Sequence, residues 1–239
     1  MGRDLRMNLK QLTVGVFATL SLGLTALPAH AYIFGYSQGA GANLMLNGDT
    51  TSIQTEPDPL TGNVSTGWYS STGYHDPTND TYLVASATDP LFGGAAYNNF
   101  FVFDLSGLTA DIISGRLLVR STDVSRTDLF RLGSYSGDVD ALEDGTGGVA
   151  AFNDLGAGTF YGSRVFHQGE QAWVFVDLNN DFVNDINNAI TNEQSYFVIG
   201  GTVGQLPTAI PEPACWALMI VGFLGTGVAL RARRRAALA

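Results

Sequence analysis

The run Asn98-Asn99-Phe100-Phe101-Val102-Phe103-Asp104-Leu105 decides the fold. In an extended chain successive side chains point to opposite faces, so four consecutive apolar residues make a strand that is apolar on both. The stretch therefore predicts a central strand covered on each side. Around it, short aromatic and β-branched runs recur over residues 115–121, 129–135, 159–166, 172–178 and 196–202, separated by Gly, Asn, Asp and Ser clusters. In the first of these, Leu117 and Val119 point inward while Arg116 and Arg120 point outward. Residues 44–46 and 81–85 read as edge strands, and residues 56–62, with two prolines, read as a loop. One helix is predicted over residues 181–194, where Phe182, Ile186 and Ile190 recur every fourth position, lying across an end of the strands. The pattern predicts a mostly β chain with a single antiparallel β-sandwich or jelly-roll-like domain over residues 32–207. A body of that size buries about 70% of its unfolded surface in one core.

The 239-residue chain carries only 14% charged residues, with 29 glycines, and a formal charge of −10. The charge is unevenly placed. Arg3, Arg6 and Lys10 sit at the start, and Arg231, Arg233, Arg234 and Arg235 at the end. Between them, over residues 32–210, stand five arginines, no lysine and twenty acidic residues, a formal −15. Such a surface repels polyphosphate backbones, so no nucleic-acid partner is expected.

Both ends read as addresses. A basic stretch to Lys10 precedes an apolar run over residues 12–24 and then Ala26-Leu27-Pro28-Ala29-His30-Ala31. As a helix this run spans about 20 Å, short of the ~30 Å hydrocarbon core. Ala29 and Ala31 suit the small-residue pockets of signal peptidase, which predicts a signal peptide over residues 1–31 and a mature start at Tyr32. At the other end, Pro211-Glu212-Pro213 precedes seventeen uncharged residues, 214–230, and then the arginines. A helix of that length reaches about 25 Å, and snorkelling arginines extend it to a transmembrane span. Positive residues after the span stay cytoplasmic, which leaves the middle segment outside and membrane-anchored. The one cysteine, Cys215, lies in this tail, so the exported domain holds neither disulfide nor thiol nucleophile.

The triplet, the Trp216-containing apolar run with Gly222, Gly225 and Gly227, and the Arg231-Ala232-Arg233-Arg234-Arg235 end resemble the PEP-CTERM sorting signal of Gram-negative bacteria, also known as the ice-binding protein C-terminal domain. That resemblance covers only about 25 residues, Pro211 to Arg235, and places a sorting signal over residues 208–239. It implies recognition of Pro211, Glu212 and Pro213 by exosortase, a membrane transpeptidase that removes the helix and leaves the protein at the cell surface or outside the cell. It also implies association with exopolysaccharide and biofilm matrix. The prolines hold the backbone around Glu212 extended, as a cleavage site requires. Residues 97–107, with Gly133-Ser134-Tyr135 and Gly200-Gly201, also resemble, more loosely, a β-sandwich domain of secreted PEP-CTERM proteins.

Within the domain, Gly35-Tyr36-Ser37-Gln38-Gly39 matches the nucleophile-elbow pattern GxSxG, but no strands precede it to build the hydrolase sheet. Residues 177–185 place Asp177, Asn179, Asp181 and Asp185 at positions 1, 3, 5 and 9 of a calcium loop. Phe182 stands where glycine belongs, and Asn188 where the closing carboxylate belongs. Asp76, Asn79 and Asp80, and Asp138, Asp140, Glu143 and Asp144, form two further acidic loops. Calcium is thus the one cofactor left open, and no metal or catalytic residue is assigned. His75 and His167 lack metal-binding spacing. Trp68, Tyr69 and Tyr74 in a Gly/Ser loop supply amphipathic rings that suit stacking on pyranose faces, the candidate glycan contact. The expectation is an exported, non-enzymatic surface or matrix protein with a structural or adhesive role. A carbohydrate-binding module is the alternative, and a secreted hydrolase the third reading.

Overall fold

The computed structural model describes residues 32–36, 42–55, 65–109 and 111–204. Its strands and helices, in chain order, begin with β1 (Tyr32–Tyr36), β2 (Asn43–Leu46), β3 (Thr51–Gln54), β4 (Thr66–Ser70), β5 (Thr81–Ala85) and β6 (Tyr97–Asp104). They continue with β7 (Gly115–Arg120), β8 (Asp123–Val124), β9 (Asp128–Ser134), α1 (Val139–Glu143) and α2 (Gly148–Ala157). The described chain closes with β10 (Phe160–Phe166), β11 (Trp173–Leu178), α3 (Asn180–Thr191) and β12 (Tyr196–Gly204). One sheet runs β10-β9-β12-β6-β5-β1-β8, with β4 also paired to β6; the other runs β11-β7-β2-β3. The fold is mostly β, its antiparallel sheets curling into a half-barrel.

Strand β6 occupies the centre that its sequence predicts. Phe100 pairs with Gly200 of β12 on one side and with Gly67 of β4 on the other. Phe101 and Phe103 join the larger core, where they meet Leu44, Leu46, Leu117, Val119, Val174 and Val176 of the second sheet. Phe100 and Val102 join a smaller core with Tyr69, Val198, Leu142 of α1, and Ala151 and Leu155 of α2. The strand is therefore covered by a sheet on one face and by helices on the other.

Helices α1 and α2 depart from the expectation of a single helix. The α2 sequence, GVAAFNDLGA, buries only Ala151 and Leu155, too few apolar residues for a clear helical stripe. It docks because β12 offers bare backbone: a Cβ at Gly200 would stand 2.8 Å from the Leu155 carbonyl oxygen. The helix that the sequence does predict, α3, begins where Asn179 Oδ1 accepts from the Asp181 and Phe182 N–H groups. Its Phe182 packs edge-on to Tyr161 and Phe197, at 5.6 and 5.7 Å between ring centroids.

The two expected edge strands are interior. β2 lies between β7 and β3, and β5 between β6 and β1. Leu44 and Leu46 are fully buried, and all five positions of β5 are buried to at least about nine-tenths; shortness and polar flanks, rather than exposure, make these strands hard to read. The period-two reading of β7 holds, with Leu117 and Val119 buried and Arg120 exposed. The expected signal peptide, the loop at 56–62 and the sorting tail lie outside the described residues. Among the described residues no helix is long and apolar enough to cross a membrane.

Candidate functional site: an aromatic groove

Alternation along β4 separates two of the three candidate glycan-contact residues. Tyr69 is fully buried, and its hydroxyl donates to the Ala141 and Leu142 carbonyls at 2.9 and 2.8 Å. It stacks on His75 at 4.9 Å and tilts against Phe100 at 6.2 Å. Tyr69 therefore anchors α1 to the sheet and offers no face to a ligand, a correction to its grouping with Trp68 and Tyr74.

Trp68 begins a run of rings. Tyr74, 59% exposed, sits at one end, 6.1 Å from Trp68 between centroids. Trp68 meets Tyr97 edge-on at 5.0 Å, Tyr97 meets Phe92 at 4.9 Å, and Phe92 meets Tyr32 edge-on at 5.5 Å. Alongside lies a groove of about 450 Å³ walled by Tyr32, Trp68, Leu83, Leu91 and Phe92, with Asn79 and Thr81 contributing polar groups. A cavity of this size with apolar walls and few polar groups has the proportions of a small-ligand site.

Each wall is fixed by local chemistry. A 3₁₀ turn over Pro90–Phe92 presents Leu91 and Phe92; buried Asp89 caps it, accepting from the Leu91 N–H at 2.9 Å, and Gly93, at φ +61°, ends it in the left-handed region. Leu91 is 72% exposed, so its side chain is open to solvent at the rim of the groove. The Tyr32 hydroxyl donates to Asp123 at 2.8 Å, and that bond, then burial, pushes its pKa up to about 12, so it stays a donor. Beneath Trp68, His75 Nδ1 donates to the Trp68 carbonyl at 2.9 Å. Its Nε2 faces the Glu143 carbonyl without a well-formed hydrogen bond. Burial lowers the His75 pKa against the opposing pull of both carbonyls, Asp76 and Asp144, so the ring is held neutral.

The other candidates are dispersed into structural roles. Gly35 and Tyr36 end β1, which lies between β5 and β8, and not on a turn after a central strand; Ser37, Gln38 and Gly39 lie outside the described residues. Of the calcium-loop residues, Asp177 is on β11, Asn179 caps α3, and Asp185 accepts from the Tyr161 hydroxyl at 2.9 Å. In the acidic loops, Asp76 accepts from the Thr78 N–H and hydroxyl, Asn79 from those of Thr81, and Asp144 from those of Thr146. Asp138 caps α1. No three or more His, Cys, Asp or Glu side chains gather as a metal site among the described residues. His167 holds Glu170 through its backbone N–H and lies apart from any cluster with His75. The sorting residues Ala29, Ala31, Pro211, Glu212, Pro213, Arg231, Arg233, Arg234 and Arg235 lie outside the described residues.

Sequence reading identified Trp68 and Tyr74 but missed Tyr32, Leu91, Phe92 and Tyr97, which come from three other segments. The one local signal was the apolar pair Leu91-Phe92 between a proline and two glycines. The chain matches no protein-family model and no characterised protein.

Proposed function

We propose that the chain is an exported, non-catalytic surface protein that is sorted by exosortase and adheres to neutral polysaccharide through its aromatic groove. The observation that carries this reading is the five-ring run from Tyr74 to Tyr32 flanking a groove with amide and hydroxyl groups. Flat apolar faces cover the C–H surface of a pyranose, while Asn79, Thr81 and the Tyr32 hydroxyl supply groups of the kind that sugar hydroxyls require. A domain with a formal −15 repels acidic glycans, which favours a neutral one. The signal peptide, the Pro211-Glu212-Pro213 triplet and the arginine end support export, anchoring before processing, and final delivery to the surface or matrix. The sandwich-like packing of two sheets suits a rigid display scaffold.

The test is affinity electrophoresis of the full chain through gels containing neutral glucan or galactan. The wild type is retarded, and Trp68→Ala loses at least about tenfold in affinity, as a central aromatic anchor should. Equal retardation of wild type and Trp68→Ala by every glycan, or none in either, contradicts the reading.

A further inference from the structure

Apart from the groove, an open cleft of about 610 Å³ lies where β9, β10 and α3 meet the start of β12. Tyr135, Tyr161, Tyr196 and Phe197 line it together with one carboxylate, Asp185; its remaining described lining is neutral, and no basic side chain contributes. Asp185 is half-buried on α3. Its side chain has one hydrogen-bond partner among the described residues, the Tyr161 hydroxyl at 2.9 Å, and forms no ion pair there. Tyr161 is itself locked, edge-on to Phe182 at 5.6 Å and stacked on Phe197 at 6.1 Å. Burial, and then the bond to Asp185, raises its pKa well above the ordinary range, so it donates to the carboxylate at any working pH.

The cleft thus holds a carboxylate satisfied by one neutral donor, and aromatic residues share its lining. Partial desolvation of an anion without a cation is unfavourable, and the negative faces of aromatic rings add attraction for positive charge. An anionic ligand is repelled. Calcium requires about six to eight oxygen ligands, whereas the cleft offers a single carboxylate and no metal-binding cluster. An organic cation needs one counter-charge and one or two aromatic rings, and among the lining residues Tyr135 and Tyr196 are the rings that remain partly exposed. We propose that this cleft binds an alkylammonium group, with Asp185 as counter-ion, held in place by the buried Tyr161 hydroxyl, and with the partly exposed Tyr135 and Tyr196 as cation–π walls. The site is independent of the glycan groove; an amino sugar and a quaternary ammonium headgroup share the required chemistry.

Titration calorimetry of the full chain tests this with two matched pairs: choline against its uncharged isostere 3,3-dimethyl-1-butanol, and glucosamine against N-acetylglucosamine. At least one cation binds at millimolar concentration or tighter while its neutral partner does not, and the tighter cation identifies the source. Asp185→Asn keeps an acceptor for Tyr161 but removes the charge, and weakens the cation at least about tenfold. Tyr135→Leu keeps a wall without its π face and weakens the cation about threefold to tenfold; it decides the matter should Asp185→Asn fail to fold. Equal binding of charged and neutral partners, no binding of either cation, or unchanged affinity in a folded Asp185→Asn or Tyr135→Leu variant overturns the proposal.

Discussion

Asn99 is fully buried in β6, yet neither its Nδ2 nor its Oδ1 has a hydrogen-bond partner among the described residues. Its cross-strand neighbours are Gly201 on β12 and Trp68 on β4, and its Oδ1 lies over the Gly201 backbone, where any Cβ would collide with it. Burying an amide without partners costs about 1–3 kcal/mol as judged from protein mutations. Leucine has the same γ-branched outline with no polar atoms, so Asn99→Leu removes that cost and adds apolar burial, offset in part by tighter packing against Phe130, which already crowds Gly201. The net expectation is a gain of about 1–3 kcal/mol. For a domain of this size, each kcal/mol moves Tm by about 2–4 °C, which gives a rise of roughly 2–12 °C. Calorimetry and urea titration of the full chain measure it, with the urea slope unchanged. A lower Tm in Asn99→Leu than in the wild type would show that the amide is satisfied and refute the reasoning.

Three further outcomes follow from the smaller core. Tyr69→Phe leaves the buried Leu142 carbonyl without its hydroxyl donor, while the Ala141 carbonyl keeps the Gly147 N–H, and costs about 1–3 kcal/mol, read as a Tm drop of several degrees. Gly200→Ala forces α2 off the sheet and makes the 148–157 segment sensitive to limited proteolysis at temperatures where the wild type resists; equal resistance contradicts the packing described. For His75, burial holds the folded pKa below its ordinary 6.5, so the unfolded chain takes up the proton first as pH falls. The stability contribution is complete above about 6.5 and is lost as pH drops toward the folded value. His75→Gln should flatten Tm against pH in that window, and an unchanged slope would contradict the assignment.

Much of the sheet was legible because β6, β7, β9, β10, β11 and β12 carry long, strongly patterned runs, and α3 carries both a cap and a helical stripe. Where packing rather than pattern decides, the sequence was silent. β2 and β5 are short, and α2 is held by bare glycine backbone on β12 instead of by an apolar face of its own. For the groove, Trp68 and Tyr74 were visible as neighbouring aromatics. Tyr69 was misplaced because its burial depends on a helix about 70 residues later. Tyr32, Phe92 and Tyr97 belong to the site only once β1, β5 and β6 are brought together. Asp185, read first as a weak calcium ligand, acquires its partner Tyr161 only through the docking of α3.

The account is tested most directly by intact-mass spectrometry of the protein retained in the cell-surface polysaccharide of cells producing either the wild type or Trp68→Ala. It predicts a retained wild-type species that begins at Tyr32 and has lost the residues after Pro211-Glu212-Pro213, with the Trp68→Ala species, identically processed, shed into the medium. Equal retention of both chains, or a retained species still carrying Arg231 to Arg235, would contradict it.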